Sequence, residues 1–205
     1  MKTLFAVAAA VSLMLLPMLS EAASAPKTLA GYTLGGDISQ VDAYLAMETA
    51  LPIRYLECLE EVEIKNQPLF KSGLIAYGTC ARPGKIVRIK MKYADGSRRF
   101  YDRLLGRFKT QFGDPSEWQG DPFHVVIDWK WSFVDDDGSR ISLHLSHNSL
   151  DRDEKYGNAV KLTLSSAIDE EIRCYKETHP GFRTSASGGP MPSDSDIDWD
   201  QMVPR

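Results

Sequence analysis

"FHVVIDWKWSFVDDDGSRISLHLSHN", Phe123 to Asn148, carries an alternation long enough to set the fold class. Phe123, Val125, Ile127, Trp129, Trp131 and Phe133 take every odd position, and among the even positions between them only Val126 is apolar. Side chains in a strand alternate between faces, so this is a long strand with one buried face. Asp137-Gly138 ends it, because Asp-Gly favours the positive-φ backbone of tight hairpins. Ile141, Leu143 and Leu145 continue the alternation on the return strand. Trp129 and Trp131 are therefore read as core rather than as a ligand platform. Trp118, in the loop "DPSEWQGDP" between two prolines, is expected to be more exposed.

Downstream, "NAVKLTL" (Asn158 to Leu164) reads as a third strand after the charged loop "LDRDEKYG". Ser166 and Asp169 have capping-box spacing and open a helix with Ile168, Ile172 and Tyr175 on one side. Upstream, Phe100, Leu104, Phe108 and Phe112 fall four apart and predict a helix from about Arg98 to Phe112. Gly113 suits the left-handed position past its end, and Pro115 prevents continuation. Before it come "EVEIK" (Glu61 to Lys65), "GLIAYGTC" (Gly73 to Cys80) and "KIVRIKMKY", all read as strands. In the last, Val87, Ile89, Met91 and Tyr93 face one side and Arg88, Lys90 and Lys92 the other. Asp37 is a good N-cap for a first helix carrying Ile38, Val41, Tyr44 and Leu45, which Pro52 closes. The expected order is helix, three strands, helix, three strands, helix. That is an α+β domain of antiparallel sheet with the helices packed on one face.

The start of the chain has the order of a secretory leader: Lys2, an apolar run from Leu4 to Leu16, Pro17, then small residues. The run falls short of the ~20 residues a membrane span needs. Ser20 and Ala22 fit a cut after Ala22; the alternative, after Ala25, places Pro26 at the scissile bond. The expected division is a signal peptide over 1–22, one α+β domain over 23–182 and a disordered acidic tail over 183–205, rich in Ser, Gly, Pro and Asp. No transmembrane segment is expected after the leader. Export makes a disulfide plausible for Cys58, Cys80 and Cys174. Three pairings are open; Cys80 with Cys174 is preferred, because both sit at junctions of expected elements.

No nucleophile elbow, phosphate loop, zinc-protease helix or dinucleotide fingerprint occurs. His144 and His147 resemble a metal pair, but residues three apart on a strand point to opposite faces. Asp135, Asp136 and Asp137 lack the spacing of a calcium loop: with Gly138 at its glycine position, Phe133 would be the first ligand. No metal and no cofactor are expected. One feature stands out. Arg82 to Lys109 holds ten basic residues and two acidic ones, a local +8 in a chain of net −4. Arg88, Lys90, Lys92, Arg99, Arg103 and Arg107 are the candidate binding residues, taken as one patch made by a strand and the adjoining helix. Such a surface attracts anions. Glu57, Glu60, Glu61 and Glu63 are the acids available to pair with it internally. Nucleic acid is not expected, because aromatic residues do not interleave the basic face.

"GLIAYGTC", "KIVRIKMKYADGS", "FKTQFGDPSEWQGDPFHVVIDWKWSF" and "NAVKLTL" together resemble a group of uncharacterised secreted proteins of Gram-negative bacteria. That group has no assigned activity, so the resemblance implies a compartment and lends no catalytic residues. The plan is also loosely similar in architecture to small periplasmic modules of the BamE and β-lactamase-inhibitor type, and architecture does not carry function. The expected function is a periplasmic or secreted binding or assembly protein without catalysis. Its basic strand-helix surface would contact an anionic ligand or an acidic protein surface. The alternatives are a small hydrolase acting on envelope material and an accessory structural protein whose basic surface is paired internally.

Overall fold

The computed structural model describes residues 24–123, 125–149 and 157–180. The expected leader and acidic tail lie outside the described residues. A short hairpin, β1 (Thr28–Leu29) and β2 (Tyr32–Thr33), comes first, then two 3-10 turns over Ile38–Gln40 and Asp42–Tyr44. Eight strands come next: β3 (Leu45–Ile53), β4 (Leu56–Ile64), β5 (Phe70–Gly78), β6 (Ile86–Tyr93), β7 (Glu117–Trp118), β8 (Val126–Val134), β9 (Arg140–Asn148) and β10 (Asn158–Leu164). Helix α1 (Arg98–Phe112) follows β6 and α2 (Ser165–Thr178) follows β10.

All eight strands form one antiparallel sheet in the order β3-β4-β5-β6-β10-β9-β8-β7. Each half is a four-stranded meander ending in a helix. The halves join through their last strands, with Leu162 opposite Ile89 and Lys161 opposite Lys90. The expected α+β plan of helix, three strands, helix, three strands, helix is thus overturned. The chain is mostly antiparallel sheet, with two α-helices among the described residues. The first expected helix is absent because Asp37 caps only a 3-10 turn, accepting from Ser39 N at 3.0 Å. From Leu45 the chain pairs with β4, with Leu45 opposite Ile64. Pro52 sits in β3, an edge strand, where a missing N–H costs no ladder bond on the open side. The capping box also fails: Ser166 lies inside the first turn of α2, and its hydroxyl accepts from Arg140 N at 3.3 Å. Asp169 pairs with the Arg140 guanidinium instead.

The helices pack on opposite faces, not on one: the larger part of the core lies under α1, where Ile75, Ile89, Met91, Leu145, Val160 and Leu162 are buried, and α2 buries Leu59 and Ala76 on the other face. Helix α1 begins where the Ser97 hydroxyl accepts from Phe100 N and ends at Gly113, φ +77°. Its aromatic stripe lands on the tryptophan strand: Phe108 meets Trp131 at 5.7 Å and Phe112 meets Phe133 at 5.8 Å. Trp131 is 2% exposed and donates from Nε1 to the Gly113 carbonyl at 2.9 Å. Trp129 is half-buried against Trp118, which forms part of β7 and meets it edge-on at 4.7 Å. Among the described residues, no helix is long and apolar enough to cross a membrane.

A buried amide ties this core to the turn before α1. Asn158, fully buried, donates from Nδ2 to the carbonyls of Asp95 and Ser97 and accepts at Oδ1 from His147 Nδ1 at 2.7 Å. It fixes the turn from β6 into α1 against β10. We expect Asn158→Leu to strand the Asp95 carbonyl and the His147 imidazole, the Ser97 carbonyl keeping its bond from Tyr101 N, and to cost about 2–3 kcal/mol. Urea unfolding would report it, and a loss under about 0.5 kcal/mol would mean that the cluster is not held this way.

Candidate functional site

Alternation along β6 sends Arg88, Lys90 and Lys92 to the sheet face opposite α1 and away from Ile89 and Met91; α2 covers the Arg88 end of that face, where Ser165 meets Ser142 and Glu171 lies over Gly78, and leaves Lys90 exposed. The register adds cations from other strands. Lys90 stands opposite Lys161 of β10, Lys161 opposite His144 of β9, and His144 opposite Lys130 of β8. Lys130 reaches Glu117 at the far edge, 2.8 Å away. One cross-strand row therefore carries three lysines and a histidine. Like charges set directly opposite each other destabilise a sheet, so packing alone gives no reason for Lys90 to face Lys161.

A cleft of about 640 Å³ opens over this row, lined by Ser72, Leu74, Lys90, Lys92, Val126, Asp128, His144, Ser146, Ala159 and Lys161. Its size suits a small-molecule ligand. Asp128, its one carboxylate among the lining residues, faces His144 Nδ1 at 3.3 Å. Among the described residues no carboxylate forms an ion pair with Arg88, Lys90 or Lys161. Burial holds the Lys161 ammonium below the ordinary lysine pKa; Asp128 opposes that shift, while Arg88, Lys90 and Lys130 reinforce it. Burial likewise lowers the proton affinity of Arg88, with Glu61 acting in the other direction, and Arg88 Nε is buried without a hydrogen-bond partner.

The expected single patch is divided. Arg99, Arg103 and Arg107 lie exposed on α1, whose other side packs on Trp131 and Phe133. The sheet stands between them and Arg88, Lys90 and Lys92. The two histidines also separate: both border the cleft, but His144 faces Asp128 across it, while the His147 ring stacks on Tyr101 of α1 at 5.2 Å. Among the described residues no group of three His, Cys, Asp or Glu is placed to hold a metal ion. Of the expected acids, Glu60 takes the Tyr77 hydroxyl and Glu57 that of Tyr175, so neither is spent on the cleft.

Sequence reading missed Lys161, Lys130, Asp128 and His144 as members of this site. The signal was there: each stands between two apolar neighbours in its strand, Asp128 between Ile127 and Trp129, Lys130 between Trp129 and Trp131, His144 between Leu143 and Leu145, and Lys161 between Val160 and Leu162. Cys80 and Cys174 form a disulfide, and Cys58 is a buried free thiol whose pKa burial raises. No family model, no curated protein and no solved structure matches this chain.

Proposed function

We propose that this chain is a periplasmic or secreted binding protein that holds an anionic ligand, or an acidic group of a partner, in the sheet-face cleft without turning it over. The carrying observation is the Lys90–Lys161 cross-strand pair, set in a cleft with no carboxylate ion-paired to either among the described residues. An anion between the two ammonium groups converts a repulsive pair into two charge-assisted contacts. The leader-like start and the Cys80–Cys174 disulfide support an oxidising compartment. The contact surface is the strand face alone, not the strand-and-helix patch. The reading of internal pairing has less support, since Glu61 influences Arg88 only at longer range.

Calorimetric titration with inorganic pyrophosphate at low salt tests this. Wild-type protein is expected to bind, and Lys90→Gln and Lys161→Gln each to weaken binding about tenfold, since a charge-assisted hydrogen bond is worth about 1.5 kcal/mol or more. Arg99→Gln/Arg103→Gln/Arg107→Gln is expected to leave it unchanged. The same lysine variants should melt slightly higher, because relieving a like-charge pair returns about 0.2–1 kcal/mol. Equal binding by wild type and Lys90→Gln/Lys161→Gln would sink the proposal.

The pH dependence has a definite sign. The folded Lys161 pKa lies below the 10.5 of the unfolded chain, so between the two values the unfolded chain holds the extra proton. Stability therefore rises with pH across that window. Pyrophosphate affinity runs the other way and declines as Lys161 loses its charge.

A further inference from the structure

Lys161 differs from the other lysines of the cleft in what surrounds it. It is half-buried at the centre of the cross-strand row, with Lys90 directly opposite on one neighbouring strand and His144 opposite on the other. Arg88 and Lys92 flank Lys90 along β6, Asp128 and Lys130 lie beyond His144 on β8, and Asp128 is engaged by His144. An amine crowded by cations and removed from water keeps more of its population neutral than an exposed lysine does, and the neutral amine is the nucleophile. The cations that discourage its protonation also collect anions at the same place.

We propose that Lys161 is a carbonyl-reactive amine that captures an anionic aldehyde or ketone bound in the cleft, as a reversible imine. This rests on the anion-binding reading above for the choice of carbonyl compound. The Nζ lone pair attacks the carbonyl carbon, and the π pair of the C=O bond moves to oxygen. A proton passes from nitrogen to that oxygen, giving a carbinolamine. The nitrogen then gives up its second hydrogen as the C–O bond breaks, and a C=N bond replaces it. Both hydrogens of the neutral amine leave with the carbonyl oxygen as one water, so no oxidant, reductant or cofactor enters. The negatively charged part of the ligand rests against Lys90 and Lys92, the other two lysines lining the cleft. The capture is stoichiometric and reverses by addition of water.

The test uses the folded, disulfide-bonded protein and pyridoxal 5′-phosphate, a dianionic aldehyde. Borohydride trapping converts any imine to a stable secondary amine, and proteolysis with mass spectrometry locates it. Lys161 is expected to be the dominant labelled lysine at substoichiometric reagent, and inorganic phosphate should protect it. Pyridoxal, which lacks the phosphate, should label Lys161 more slowly by about tenfold or more, the factor electrostatic focusing supplies. The outcomes separate the two readings. Lys161 labelled equally by both aldehydes keeps the imine and removes the anion site. Label spread over lysines according to exposure, with pyrophosphate still bound, removes the imine and keeps the anion site. Label spread with no pyrophosphate binding removes both. The wild-type map decides by itself; Lys161→Arg, checked for folding by circular dichroism, should abolish the dominant label.

Discussion

Replacing Cys80 and Cys174 together by serine is expected to lower the stability of the domain by about 4–5 kcal/mol. The two residues are 94 apart in sequence, and closing so long a loop removes much of the freedom of the unfolded chain. The bridge ties the turn after β5 to the last turns of α2, so it links the first meander to the helix that follows the second. At roughly 2–4 °C per kcal/mol for a domain of this size, the melting temperature should fall by about 10–15 °C. Dithiothreitol should lower the wild type to the level of the double variant and leave the variant unmoved. Cys58 does not complicate the comparison: it is fully buried, and burial keeps its thiol protonated. A double variant within about 1 kcal/mol of wild type would mean that the loop is already held by other contacts.

Strands β8 to β10 and helix α1 were legible for a physical reason: their apolar residues recur at the period of the element they form. Ile127 to Phe133 alternates and Phe100 to Phe112 recurs every four; Phe123 and Val125 extend the alternation in sequence only, since β8 begins at Val126 and Phe123 is exposed. The first meander was legible only in part. Ile38, Val41, Tyr44 and Leu45 imitate a helical stripe because two 3-10 turns also place side chains three apart. Strand β3, directly after them, is an edge strand with register shifts between Ala46 and Leu51 and between Pro52 and Ile53, so it lacks clean alternation. Strand β7 is two residues long, too short for any period to show.

The binding face was legible by halves too. Arg88, Lys90 and Lys92 announce themselves by alternation within one strand. Lys161 is a single lysine in "NAVKLTL", and nothing local ties it to Lys90; only the pairing of β10 with β6 does. Conversely, Arg99, Arg103 and Arg107 are near Lys92 in sequence and on the other side of the sheet in space. A charge count along the chain measures sequence proximity, whereas a sheet assembles its surface from residues far apart in the chain.

Glu171→Ala is expected to be nearly as damaging as loss of the disulfide, at about 4 kcal/mol. The carboxylate projects from α2 and is fully buried, and it accepts from three successive backbone amides: Cys80 N at 2.8 Å, Ala81 N at 3.1 Å and Arg82 N at 2.6 Å. Truncation leaves three part-buried N–H groups without their acceptor, each carrying a desolvation cost of about 1–3 kcal/mol that local relaxation and water only partly recover. Glu171→Gln is close to isosteric and separates charge from shape. Its amide NH2 has to face at least one of the same N–H donors, so most of the loss should persist, at about 3 kcal/mol. Gly78→Ala attacks the arrangement from the other side: a Cβ there would press on the Glu171 carboxylate and lie 2.8 Å from the Arg82 carbonyl. Glu171 and Cys174 are three apart on α2, hence on one face, and both grip the turn that contains Cys80. Their effects should therefore couple. In a double-mutant cycle, Glu171→Ala in the Cys80→Ser/Cys174→Ser background should cost measurably less than in the wild type, by about 1 kcal/mol or more, because the turn is already loosened. Strictly additive losses would show that carboxylate and disulfide stabilise the fold independently, and the turn would not be the shared element.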